Sequence, residues 1–143
     1  MGTPAVTIPS LRICAGLAAI IVLISQACAQ DAKPALYTAG QAQAGAMVFA
    51  QSCATCHGSA LEGGTGPALK GAAFGERAIA QSLTAQSLLD VAAYTMPQSN
   101  PGSLKPEDYN AVVAYILQQN GYPAGAIALA PNGPGMKETR ITP

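Results

Sequence analysis

The sequence predicts an all-α domain of three to five short helices joined by long irregular loops. Tyr109, Val112, Val113, Ile116 and Leu117 recur at i, i+3, i+4, i+7 and i+8, an apolar stripe of helical period. The stretches between candidate helices are rich in Gly and Pro, as in Gly63-Gly64-Thr65-Gly66-Pro67 and Pro101-Gly102. No βαβ pattern is visible.

The chain has 143 residues, enough for one domain with appendages. Arg12 precedes a twelve-residue run, Ile13 to Ile24, and Ala27-Cys28-Ala29 follows. A positive n-region, a short h-region and an A-x-A site form the pattern of a secretory signal peptide over residues 1–29. The run falls short of the roughly 20 residues that a membrane span needs, so no membrane association is expected once it is cleaved. Two other readings stand beside this one. One is an uncleaved anchor; the other is lipid attachment at Cys28, where Ala27 suits but Ser25 replaces the usual aliphatic residue.

Residues 30–40 are small and polar and read as a flexible segment. Gln41 to Ser52 reads as a helix with Gly45, Val48, Phe49 and Ser52 near one face, followed by a Gly-rich loop, Gly58 to Gly75. Thr84 is a plausible N-cap for a helix from Ala85 to about Tyr94, and Met96-Pro97 ends it, because the residue before proline leaves the helical region. Pro106 suits the first position of the last helix, and Glu107 and Asp108 complement its dipole. Gly121 supplies its stop. Residues 41–121 thus form the expected domain, and residues 122–143 an extended Pro/Gly-rich tail, with two readings open for it: a docking segment for a partner, or a strap over the protein surface.

Half of the residues are hydrophobic, but Ala and Gly are abundant and there are only two Phe and no Trp. A core so short of bulk leans toward a bound prosthetic group. Seven basic residues balance seven acidic ones, which argues against nucleic acid. Loss of the signal leaves six basic residues against seven, so strong electrostatic steering of partners is not expected.

The chemistry lies in Cys53-Ala54-Thr55-Cys56-His57, the attachment signature of c-type heme. Two thiols three positions apart can each add to one vinyl group, forming thioethers, and the histidine that follows is held under the iron. His57 is the only histidine in the chain. Zinc would need about four ligands, a thioredoxin-like pair a βαβ setting, and a disulfide would leave His57 unexplained. For the other face of the iron the candidate is Met96, 39 residues beyond His57. A thioether is a soft neutral ligand that favours reduced iron. Met1 leaves with the signal, Met47 reads as packing beside the cysteines, and Met136 lies in the tail.

With these residues in view, the chain resembles the class I cytochrome c superfamily from about Gly40 to Gly121. The resemblance implies a cytochrome c fold wrapped around one covalently attached heme c. Gly45 and Phe49 match the positions where the first helix crosses the last, and Val112 to Ile116 match that last helix. Pro67 looks like the proline whose carbonyl accepts a hydrogen bond from the axial histidine, and Leu69 like the apolar residue packed on the heme. Lys105-Pro106 departs from the usual Ser-Asp helix start. Covalent assembly in this family occurs outside the cytoplasm, which suits an exported chain. The stretch from Met96 to Gly125 is similar to bacterial cytochromes associated with quinoprotein dehydrogenases.

The resemblance implies a periplasmic electron carrier, not an enzyme, cycling between Fe(III) and Fe(II). Its implied partners are redox proteins, such as a quinoprotein dehydrogenase and a terminal oxidase. Two alternatives stand: a heme subunit of a quinoprotein dehydrogenase complex, and a heme sensor or enzyme in which Met96 dissociates.

Overall fold

Thr38 opens the first helix two residues earlier than the apolar pattern implies. Its hydroxyl accepts from Gln41 N at 3.3 Å while the Gln41 side chain accepts from Thr38 N at 3.2 Å, a reciprocal capping box. The computed structural model describes Gly2 and residues 32–142; apart from Gly2, the expected signal segment lies outside them. Helix α1 spans Ala39–Ser52, and a short α2, Ala54–His57, follows directly. Then come α3, Gly71–Ala80, α4, Ala85–Thr95, and α5, Pro106–Gln119. Among the described residues there are no strands beyond two isolated bridges, so the chain is all-α as expected.

The packing frame is a crossing of α1 and α5. Gly45 is buried at the contact: a Cβ there would fall inside the Ala111 carbonyl and lie 3.0 Å from Tyr115 Cβ. Only a hydrogen at this position lets the two backbones meet. One turn on, the rings of Phe49 and Tyr115 pack at 5.5 Å between centroids, tilted by 54°. The expected stripe on α5 is buried in full, together with Ala111 and Ala114. Helix α4 leans on α5, and its Thr84 cap is present, with Thr84 Oγ1 accepting from Ser87 N at 3.1 Å. At α5, Lys105 makes no side-chain cap, and Pro106 takes the first turn.

Three expectations are corrected. The loop foreseen from Gly58 to Gly75 stops at Lys70, and Gly71 starts α3. Its N-cap residue Lys70 makes no side-chain cap; Asn120 Oδ1 accepts from Gly71 N at 3.3 Å instead, and Phe74, Gly75 and Ala78 are buried, so tertiary contacts override weak local signals. The segment 30–40 is not loose over its described part. Leu36 and Tyr37 are buried, and Tyr37 forms a parallel bridge with Ala124.

The tail is not extended away from the body but strapped over it. Tyr122, Leu129, Met136 and Ile141 are all buried. Gln41 pairs with Leu129, donating from Nε2 to its carbonyl at 2.9 Å and accepting from its N–H at 2.7 Å. Ala85 N and Gln86 N, orphan donors at the start of α4, donate to Thr139 O at 2.9 Å and Met136 O at 2.8 Å. Lys33 Nζ donates to Asn120 O at 2.8 Å and Thr142 O at 3.1 Å, and lies over the Tyr122 ring. These four apolar side chains supply bulk that α1 and α5 lack.

Two predictions test this packing in the heme-loaded protein. Gly45→Ala lowers the unfolding free energy by on the order of 3 kcal/mol, because neither backbone can rotate away. Gly40→Ala, in the same helix with nothing within 4 Å of the added carbon, is neutral or stabilises by up to about 1 kcal/mol. Denaturant melts of both decide the matter; equal effects would contradict the close crossing.

Tyr37 gives the second. Its hydroxyl donates to Tyr122 O at 2.5 Å, and burial pushes its pKa above the ordinary 10.0. A raised folded pKa contributes stability that is present below the unfolded value and lost as pH climbs through the folded one. Tyr37→Phe therefore lowers stability by about 1 kcal/mol at neutral pH, and the gap to wild type narrows as pH rises past 10.0. A gap that widens there would refute this account.

Candidate heme-binding site

The C-terminal end of α1 runs straight into the Cys-x-x-Cys-His turn. Cys53 caps α1, donating from N to Phe49 O at 2.9 Å, and its own carbonyl accepts from His57 N at 3.0 Å. That places both thiols and the imidazole on one helical turn, fixed relative to α1. Neither thiol is in a disulfide; Cys56 is exposed and Cys53 half-buried. Burial, and then the neighbouring Cys56, push the Cys53 thiol up in pKa. Gly58 ends the turn at φ +79°, a conformation that favours glycine.

The Gly-rich loop folds back over this turn. Gly66 N donates to Cys56 O at 2.8 Å and Gly63 N to His57 O at 2.7 Å, so the last carbonyls of α2 are satisfied. His57, only 8% exposed, has Nδ1 2.7 Å from Pro67 O. A carbonyl can only accept, so the ring proton sits on Nδ1 and the lone pair on Nε2. Among the described residues Nε2 has no hydrogen-bond partner, and no fully buried side-chain nitrogen or oxygen lacks one, so Nε2 retains some access and its lone pair is unengaged. Gly66 makes this possible: a Cβ on it would stand 3.0 Å from His57 Cε1 and 3.1 Å from Nδ1.

The loop is tied to the frame from outside. The Arg77 guanidinium donates to Ala68 O. Asn120 Nδ2 donates to Leu69 O at 2.9 Å, and its Oδ1 accepts from Gly71 N at 3.3 Å. Leu69 is half-buried against the core, as are Val48, Leu83 and Leu104.

Met96 stands on a different element, as the C-terminal cap of α4. It is half-buried, and its carbonyl accepts from Tyr109 Oη at 2.7 Å and Gly102 N at 3.1 Å. Among the described helices α2 touches only α1, and α4 touches only α5. The structure thus brings Cys53, Cys56, His57 and Pro67 together, with Leu69 on the same loop as Pro67 and Met96 capping α4, a helix that contacts neither α1 nor α2. Met47 is 61% exposed, and Met136 is buried as part of the strap.

Sequence reasoning missed Asn120 and the hydroxyl of Tyr109. Each acts through backbone atoms distant in the chain, and nothing in local spacing marks such a bond.

Residues 40–116 match the family described as cytochrome c oxidase, cbb3-type, subunit III. The chain belongs to this family. It is a c-type cytochrome, and its role is electron transfer. No curated protein matches it. Among solved structures it is similar to a chain of the sulfane dehydrogenase SoxCD from Paracoccus pantotrophus. Identity is 25% and the TM-score 0.48, over 69% of this chain and 56% of that one. The cytochrome therefore spans a little over half of that chain's length.

Heme c, which membership of the family implies, fits the residues present. Two free thiols stand at the required spacing, the Nε2 lone pair is unengaged, and Gly66 leaves the imidazole its space. Half-buried leucines offer apolar surface nearby. Among the described residues no helix is long and apolar enough to cross a membrane.

Gly66→Ala forces the imidazole or the loop to shift by a few tenths of an ångström. In the reduced, heme-loaded cytochrome this lengthens the His57–Pro67 bond, so the Nδ1 proton exchanges with solvent several-fold faster by NMR. Stability falls by about 1 kcal/mol. Unchanged exchange would mean that the ring is not held by this contact.

Proposed function

We propose that this cytochrome is an exported, one-heme electron carrier. Cys53 and Cys56 hold the heme through thioethers, and His57 and Met96 take the two axial positions of the iron. The observation that carries the reading is the bond from His57 Nδ1 to Pro67 O at 2.7 Å, which leaves the Nε2 lone pair unengaged.

When bound, heme c supplies an iron that cycles between Fe(III) and Fe(II). The chain's residues determine how easily it does so. Pro67 O keeps the ring proton on Nδ1 and raises the basicity of Nε2. Met96 offers a soft, neutral sulfur that stabilises the reduced state. Leu69 and the other half-buried apolar side chains exclude water and disfavour the more highly charged oxidised state. With His57 and Met96 on different elements both holding the iron, little of the chain would have to rearrange when its charge changes. No side chain is then needed as acid, base or nucleophile, which is the reading of a carrier.

Export follows from Arg12, the apolar run to Ile24 and the Ala27-Cys28-Ala29 site, and it places the carrier in the periplasm. The cleaved chain keeps only Cys53 and Cys56, so no rival thiol competes for the vinyl groups. Its partners are redox proteins, with a quinoprotein dehydrogenase as donor and a terminal oxidase as acceptor. An oxidase is the kind of complex that the family's description names.

Absorption spectra of the oxidised and reduced protein provide the test. Ferric wild type shows the weak near-red band of Met sulfur on iron. Met96→Ala abolishes that band and lowers the midpoint potential, while heme attachment at Cys53 and Cys56 survives. Persistence of both band and potential would assign the ligand elsewhere.

A further inference from the structure

The chain between Met96 and Leu104 is a surface loop whose residues from Gln98 to Ser103 are all exposed. Almost nothing inside it is buried, so its shape depends on its base. The base converges on two atoms. Met96 O accepts from Gly102 N at 3.1 Å and from Tyr109 Oη at 2.7 Å. Tyr109 Oη in turn accepts from Leu104 N at 3.2 Å. One hydroxyl on the first turns of α5 therefore holds both ends of the loop.

The ring beneath that hydroxyl is 5% exposed and anchored in the core, so the hydroxyl sits on a rigid element. Within the loop Asn100 N donates to Pro97 O at 2.9 Å, and at its far end Leu104 is half-buried against the core. Beside it opens a cleft of about 270 Å³ bounded by Leu89, Ala93, Gly102, Leu104 and Tyr109, so packing on that side is incomplete. Hydrogen bonds at the base must do what packing does elsewhere.

We infer that Tyr109 is the positioning residue that latches Met96 in place, and that release of its hydroxyl is the step by which the Met96 side of the heme opens. The inference rests on the proposed ligation by Met96. The latch sets how often the thioether swings away, and so separates a closed carrier from a cytochrome that admits an external ligand. Tyr109 touches Met96 through the backbone carbonyl and takes no part in the electron transfer itself.

The test uses the full-length, heme-loaded protein and its Tyr109→Phe variant, which keeps the ring and removes the bond. Carbon monoxide binding to the reduced protein reports opening, and the near-red band of the oxidised protein in a urea titration reports loss of the sulfur. Far-UV circular dichroism reports global unfolding. Losing one hydrogen bond to a carbonyl shifts an opening equilibrium by about five- to tenfold. The expected result is carbon monoxide binding five- to tenfold faster, with the band lost at lower urea, well before the helical signal. Tyr94→Phe, at a tyrosine 79% exposed on α4, changes neither.

Carbon monoxide rates and band loss within twofold of wild type overturn the latch, and so does band loss that only follows an equal drop in global stability. If wild type lacks the band, or Met96→Ala retains it, the ligand assignment fails and the latch falls with it. A band that depends on Met96 but not on Tyr109 removes the latch alone.

Discussion

Everything in this cytochrome hangs on the approach of α1 and α5 at Gly45. The crossing fixes two helices whose three working ends carry the site. The C-terminal end of α1 delivers Cys53 and the turn that ends in His57. The C-terminal end of α5 delivers Asn120, which holds Leu69 O at 2.9 Å and Gly71 N at 3.3 Å and so closes the loop containing Pro67. The first turns of α5 deliver Tyr109, which holds Met96 O at 2.7 Å. Widening the crossing by the width of one methyl group would move the end of α1 relative to both ends of α5. The close contact is therefore a constraint on the site as much as on stability.

The strap extends the same logic to the outside of the fold. A chain with two Phe and no Trp must find bulk somewhere, and the composition points only to a prosthetic group. The structure adds a second source in Tyr122, Leu129, Met136 and Ile141, laid across the body by residues that read as a tail. Their backbone groups satisfy the start of α4 and the amide of Gln41, so the strap is bonded as well as buried. This leaves little of the segment available as a free docking arm. Its role is to complete the domain that presents the heme side.

What could be read in the sequence was local. Cys53 to His57 and Met96-Pro97 are recognisable because their chemistry depends on neighbours in the chain. The α5 stripe and the Thr84 cap are legible for the same reason, since helical period and capping act over one or two turns. Helix α3 escaped because Gly71 and Gly75 weaken its local signal, and burial of Phe74 and Ala78 decides the matter. Thr38 was within reach, as Thr-x-x-Gln is a capping signature, yet the surrounding small residues masked it. The hydroxyl of Tyr109 was beyond reach: the stripe explains why its ring is buried and says nothing of where its oxygen points.

The two sides of the site are restrained very differently, and the difference bears on what the protein can become. His57 belongs to a helical turn, its backbone is bonded at both N–H and C=O, and its ring is held by Pro67 and enclosed by Gly66. Displacing it means unmaking α2 and the loop together. Met96 ends a helix followed by a loop exposed from Gln98 to Ser103, and it is held by its N–H on Ala92 O at 3.2 Å and by the two bonds at its carbonyl. A local opening there exposes little apolar area and breaks few contacts, which places it at the low-energy end of the molecule's fluctuations. In the proposed arrangement any opening of the iron therefore happens on the Met96 side. Carrier and ligand-binding heme protein are then two settings of one loop on the same frame, and the histidine side is common to both.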